Sequence, residues 1–121
     1  MKLTRNELEI LDIFWNRDTA TVRDVLDALP ESKRPAYTTV QTVIHRLEGK
    51  GALERAGKDG NAHLFKAIIT RPRTYRRMIR EMVDVVGSAR SVVSHLVESG
   101  ALTLEDLRAL EQELEERSDE R

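Results

Sequence analysis

The hydrophobic period changes at Gly51, and that change sets what the first part of the chain can fold into. Upstream, apolar residues recur at three- and four-residue spacing, the mark of helices with one buried face. Thr4-Arg-Asn-Glu7 has the spacing of a capping box, in which the Thr hydroxyl and the Glu carboxylate each take an orphan backbone N–H. Leu8, Leu11, Phe14 and Trp15 follow, which predicts a first helix ending near Asn16, before the polar Arg17-Asp18 break. Thr21 caps a second short helix, Val22 to Leu29, with Val22, Val25, Leu26 and Leu29 on one face; Pro30 ends it. After a charged loop from Glu31 to Pro35, a third helix is predicted from Tyr37 to Lys50, with Gly51 as its stop. Downstream, Ala52-Leu-Glu-Arg-Ala56 and His63-Leu-Phe-Lys-Ala67 read as strands, and Gly57-Lys-Asp-Gly-Asn61 between them as a turn. Three helices and then a hairpin is the order of a winged helix-turn-helix, so the expected fold is mainly α.

The third helix is the most informative segment. At about 100° per residue from Val40, the side chains of Ala36, Val43, Ile44 and Leu47 fall within about 60° of it and form the expected buried stripe. Thr38, Gln41, Thr42 and His45 lie opposite, with Thr39 and Arg46 on the flank. That face has no carboxylate; Glu48 lies toward the edge of the buried stripe. A merely solvated helix usually carries Glu and Lys there. Short neutral polar groups suit close approach to base edges: Thr offers a methyl to thymine, Gln can be bidentate to adenine, and Arg holds a phosphate. The competing reading is a neutral surface helix with an accidental Thr/Gln face.

Charge supports a polyanionic partner. The formal net charge is −1. It conceals three blocks: residues 1–32 carry 4 basic and 7 acidic side chains, residues 33–80 carry 12 and 3, and residues 81–121 carry 4 and 11. A central +9 is a candidate nucleic-acid footprint, or a block that pairs with the acidic tail. The hairpin adds Lys58 and Asn61 at its tip and Arg55 and His63 near its base, in position to lie along a sugar–phosphate backbone. Asp59 argues against deep insertion.

The last third has a different task. Tyr75, Ile79, Met82 and Val86 recur at helical spacing, Gly87-Ser88 interrupts, and a second helix carries Val92, Val93, Leu96 and Val97 before Gly100. Thr103-Leu-Glu-Asp106 caps a final helix with Leu104, Leu107, Leu110 and Leu114 on one side. Three short amphipathic helices bury little alone. Their stripes are expected to pack on each other and on a second copy. The expected division is a DNA-binding domain over 1–69 and a helical dimerisation domain over 70–121, the latter using Tyr75, Ile79, Met82, Val86, Val93, Leu96, Leu107, Leu110 and Leu114. The competing reading folds these helices back as a cap on the head. Arg71, Arg73, Arg76, Arg77 and Arg80 lie at the junction, where they meet phosphate, the acidic tail, or both.

Several function classes fall away. There is no cysteine, hence no disulfide, thiolate metal site or cysteine nucleophile. No apolar run approaches a membrane span, and the opening MKLTRNELEI has no apolar signal core, so a cytoplasmic protein is expected. His45, His63 and His95 fall on separate elements, and there is no HExxH, Walker A loop or GxGxxG. No enzyme, metal site, cofactor or small-molecule ligand is expected.

Residues 3–67 resemble the DNA-binding domain of the penicillinase-repressor family, the BlaI/MecI/CopY group of bacterial winged-helix repressors. The stretches that carry the resemblance are Leu8-Glu-Ile-Leu-Asp-Ile-Phe-Trp15, Thr21-Val-Arg-Asp-Val25 and, above all, Tyr37-Thr-Thr-Val-Gln-Thr-Val-Ile-His-Arg-Leu47 with Lys50-Gly51. Beyond residue 67 the match is one of organisation. The resemblance implies a homodimeric transcriptional repressor on an inverted-repeat promoter operator, often of TACA/TGTA type. By position it implies that Thr39 and Thr42 face the major groove and that Arg46 holds the backbone. Gln41 stands where some relatives have a basic residue, which leaves the operator sequence open. In some members a membrane-bound β-lactam sensor-protease triggers cleavage of the dimerisation region, here roughly Arg76 to Val86. The Asn-Phe pair cut in some relatives is replaced by Ile79-Arg80. Control of β-lactam resistance or stress genes is the corresponding expectation. The copper response of other members uses cysteine clusters, which this chain lacks. The alternative function is a winged-helix module that uses the same third helix on a protein.

Overall fold

The computed structural model describes residues 1–119. Its elements run α1 (Arg5–Trp15), α2 (Val22–Ala28), a 3₁₀ turn (Glu31–Lys33), α3 (Tyr37–Gly49), β1 (Leu53–Asp59), β2 (Ala62–Ala67), α4 (Arg71–Val86), α5 (Ala89–Glu98) and α6 (Leu104–Asp119). The chain divides into two compact units, Met1–Tyr75 and a second beginning at Arg76.

In the first unit, reciprocal caps fix where the helices start. The Thr4 N–H donates to Glu7 Oε1 at 2.8 Å while the Glu7 N–H donates to Thr4 Oγ1 at 3.2 Å. Thr21 and Asp24 repeat this at α2, at 2.9 and 3.1 Å. Between them these bonds satisfy donors that the first helical turn leaves open. Ile10, Leu11 and Phe14 of α1, Val22, Val25 and Leu26 of α2, and Val40, Val43, Ile44 and Leu47 of α3 close one core with Ala20, Ala52, Leu53 and Phe65. Ala36 departs from the expected stripe. It is the N-cap of α3 and exposed, because helical geometry, and with it the wheel argument, begins only at Tyr37.

The hairpin is longer than expected, and its turn is shorter. β1 continues to Asp59, which pairs with Ala62, so the turn is only Gly60-Asn61. Gly60 has φ +62° and, among the described residues, no non-glycine residue has positive φ, the pattern of a two-residue turn with glycine at its first central position. Upstream, Arg55 pairs with Phe65 and Lys58 with His63, so Ala56 and Gly57 together face Leu64 in a β-bulge. Gly57, at φ +110°, supplies the backbone conformation that the bulge needs. The wing is pinned at its base: Ala20 and Phe65 exchange both backbone hydrogen bonds, at 3.1 and 2.9 Å.

The boundary between the units falls inside α4 because the start of that helix is tied to α1. The Trp15 indole N–H donates to the Ile69 carbonyl at 2.9 Å, and the Trp15 ring meets Tyr75 edge-on at 5.8 Å. Arg71 donates to Asp12 at 2.6 Å and Asn16 at 3.0 Å, and its guanidinium lies 5.4 Å from the centre of the Trp15 ring. Trp15→Phe should therefore lower unfolding stability by about 1–2 kcal/mol, because phenylalanine has no N–H for the Ile69 carbonyl and a weaker ring for the Arg71 cation. Thermal denaturation followed by circular dichroism reads this directly; an unchanged midpoint would show that the clamp contributes nothing.

In the second unit, Ser88 caps α5, its hydroxyl oxygen accepting the Ser91 N–H at 3.0 Å. Thr103 and Asp106 form the expected reciprocal cap at α6, at 3.0 and 3.2 Å. Among the described residues from 76 onward none is buried.

Candidate nucleic-acid interface

Four apolar residues of α3 lie in the core, and what remains outside is the face read from the sequence. Thr38, Thr39, Thr42, His45 and Arg46 are exposed, and Gln41 is half-buried. The Thr42 hydroxyl donates to the Thr38 carbonyl at 2.9 Å, which satisfies its donor within the helix. Its oxygen lone pairs and methyl group are left for an approaching ligand. Arg46 makes no salt bridge among the described residues, so its guanidinium is uncommitted.

The hairpin buttresses this face. His45 lies 6.5 Å, ring to ring, from the buried Phe65. Arg55 places its guanidinium 5.7 Å from the centre of the same ring. Arg55 also donates through Nε to Glu48 at 3.0 Å, which neutralises the carboxylate of α3 beside the reading face. Of the expected wing residues, Arg55 thus starts paired, whereas Lys58 and Asn61 are exposed and Lys58 sits opposite the exposed His63.

Two arginines that the sequence pattern does not single out set the approach to α3. Arg34 donates to the carbonyls of Asp27 and Leu29, both at 3.0 Å, so a cation closes the C-terminal end of α2. Arg23 stacks 5.1 Å from the centre of the Tyr37 ring, joining α2 to the start of α3. A signal for Arg23 existed: a cation in the first turn of a helix opposes the macrodipole and asks for another reason to be there.

Among the described residues no group of three or more His, Asp and Glu is placed to hold a metal ion. His45, His63 and His95 fall on α3, β2 and α5. Among the described residues no helix is long and apolar enough to cross a membrane.

Residues 3–116 match the family described as penicillinase repressor. The transcriptional regulator BlaI of Mycobacterium tuberculosis is 35% identical over 94% of this chain and 88% of its own length. The penicillinase repressor of Bacillus licheniformis is 26% identical over 91% and 87%. Among solved structures, the DNA-binding domain of the repressor BlaI superposes with a TM-score of 0.51 at 26% identity, covering 58% of this chain and 84% of that one. An Escherichia coli MarR mutant complexed with operator DNA gives a TM-score of 0.52 at 17% identity, over 95% and 75%, a likeness of fold. With nearly the whole length matched and a winged helix-turn-helix at its head, the chain belongs to the penicillinase repressor family.

Proposed function

We propose that this chain is a DNA-binding transcriptional repressor that acts as a homodimer on an inverted-repeat operator. The observation that carries the reading is the outer face of α3, where Thr38, Thr39, Thr42 and His45 are exposed and Arg46 is unpaired among the described residues. Such a face enters a major groove with its hydroxyls toward base edges and its arginine toward phosphate. Lys58 and Asn61 of the wing, and Arg23 at the start of α2, lie where backbone contacts are expected in this mode of docking.

Dimerisation is supported by what α4, α5 and α6 leave open. Ile79 is 58% exposed, Met82 54%, Leu110 48% and Leu114 67%, and Val86, Val93 and Leu96 are close to 40%. Leu107 is half-buried. These apolar stripes are too large to be left in water by a soluble domain of this size, and a second copy in two-fold symmetry covers them while setting two heads on one pseudo-palindromic site. In this reading a cut within Arg76–Val86 severs α5 and α6 from the head and relieves repression.

Thr42→Ala and Arg46→Ala test the head. Thr42→Ala should reduce discrimination between operator and scrambled duplex by about 1–3 kcal/mol. Arg46→Ala should weaken both duplexes about equally and lower the salt slope by about one unit per head. Both side chains are exposed, so thermal stability should hardly change. Titrations at several salt concentrations decide the matter. Wild-type affinity in both variants would remove α3 as the reading element and favour the protein-interaction module instead.

A further inference from the structure

The first ten residues of α4 hold Arg71, Arg73, Arg76, Arg77 and Arg80 and no acid. A helix gains from the opposite order, with acids first and bases last, and it loses from like charges three and four residues apart. Arg71 has its own reason in Asp12 and Asn16. The others do not. Arg76, Arg77 and Arg80 fall within about 100° on the helix surface, at positions i, i+1 and i+4. Met78, Ile79, Met82 and Val86 occupy the other side, so the apolar stripe can be covered while the arginines stay in water. Two acids follow on the polar side. Glu81 stands 4.0 Å from Arg77, and Asp84 makes no salt bridge among the described residues. Arg76 and Arg80 likewise make none among the described residues.

Residue choice narrows the partner. After Lys66 every basic residue of the chain, histidine aside, is arginine. The planar guanidinium fork matches phosphate oxygens in a bidentate way that an ammonium does not. From Arg76 to Arg80 the helix advances about 6 Å, less than two base-pair steps of a duplex, so neighbouring phosphates are within reach of one stripe.

We infer that Arg76, Arg77 and Arg80 of α4 form a second surface for the phosphate backbone of duplex DNA, separate from the reading face of α3. The inference rests on the DNA-binding reading above and adds to it a sequence-independent contact outside the winged head. It gives α4 two jobs on two sides, apolar packing on one and phosphate binding on the other.

The test uses the full chain with Arg76→Gln, Arg77→Gln and Arg80→Gln combined, and a random-sequence duplex as probe. The slope of log affinity against log salt should fall by about 0.9 for each phosphate that the variant no longer neutralises, up to about three phosphates per protomer. Affinity at low salt should fall about tenfold or more. The corresponding triple lysine variant should recover most of the slope, because charge is kept, which separates charge from helix damage. If wild type binds duplex steeply with salt and the glutamine variant has the same slope, the inference fails while the DNA-binding reading stands. If wild type binds no duplex at all, the DNA-binding reading itself fails. A glutamine variant that drops to monomer mass also overturns the inference, because the stripe then holds the copies together.

Discussion

Lys50→Met should destabilise the winged head by about 3–5 kcal/mol, because it leaves a buried carboxylate without its counter-ion. Glu7 is fully buried. Its Oε1 accepts from Lys50 Nζ and from the Thr4 N–H, both at 2.8 Å, and its Oε2 has no hydrogen-bond partner among the described residues. Lys50 Nζ donates also to the Lys2 carbonyl at 2.8 Å, so one ammonium joins the chain start, α1 and the end of α3. Glu7→Gln should cost less than Lys50→Met. An amide oxygen keeps the Thr4 bond, and the lysine, still 29% exposed, can turn to water.

The pH dependence gives the same pair a second readout. Burial pushes the Glu7 carboxyl up, but the Lys50 hydrogen bond, the Thr4 N–H and hydroxyl, and the Lys50 charge outweigh it and hold the group below its ordinary value. A carboxyl lowered in the folded state contributes stability that is present above its unfolded pKa and is lost as pH falls through the folded value. In Lys50→Met the lowering contributions of Lys50 vanish while burial and the Thr4 hydrogen bonds remain, so the carboxyl should move up from its wild-type position. Acid then destabilises the variant less than it destabilises wild type. Urea unfolding at neutral pH and near the ordinary carboxylate pKa should show the gap between the two proteins narrowing on acidification. A gap that stays constant would mean that Glu7 is not the residue responsible.

That pair also marks the limit of what the sequence displays. Thr4 and Glu7 announce a capping box, three residues apart, and the box is there. Nothing local announces that the same carboxylate is buried against a lysine 43 residues away. The periodic elements, the caps at Thr4, Thr21 and Thr103, and the exposed face of α3 were legible because each depends on spacing within one segment. The extension of β1 through Lys58 and Asp59 was not, because a bulge at Ala56-Gly57 restores pairing after residues that alone read as a turn. Arg55 shows the same limit from the charge side. A cation near a wing counts toward a basic patch in a sequence tally, yet here it meets Glu48 across elements. Arg71 is the third case, absorbed by Asp12 from α1.

Truncation after Tyr75 should leave a folded monomeric head whose affinity for a full operator is lower by about 10²–10⁴-fold, the usual range of the avidity that a second linked head supplies. The core supports the folding half of this statement, since Ile10 through Phe65 close it without any residue beyond Tyr75. The cut matters. Ending at residue 69 instead removes Arg71 from Asp12 and Tyr75 from the edge of Trp15, so that shorter fragment should melt lower than one ending at Tyr75. The affinity half follows from the proposed dimer: its two heads would meet both half-sites of an inverted repeat, and the second binding step would be intramolecular. A free head meets each half-site independently. It should bind a half-site and a full site with equal intrinsic affinity and should show less than half of the dimer's salt slope, because the cut also removes Arg76, Arg77 and Arg80. Light scattering gives the mass of each form, and anisotropy titrations on half- and full-site duplexes give the coupling. A full-length chain that scatters as a monomer at tens of micromolar, or a truncated head that binds the full operator as tightly as the whole protein, would show that α5 and α6 do not pair the heads. The exposed leucines of α6 would then need another partner.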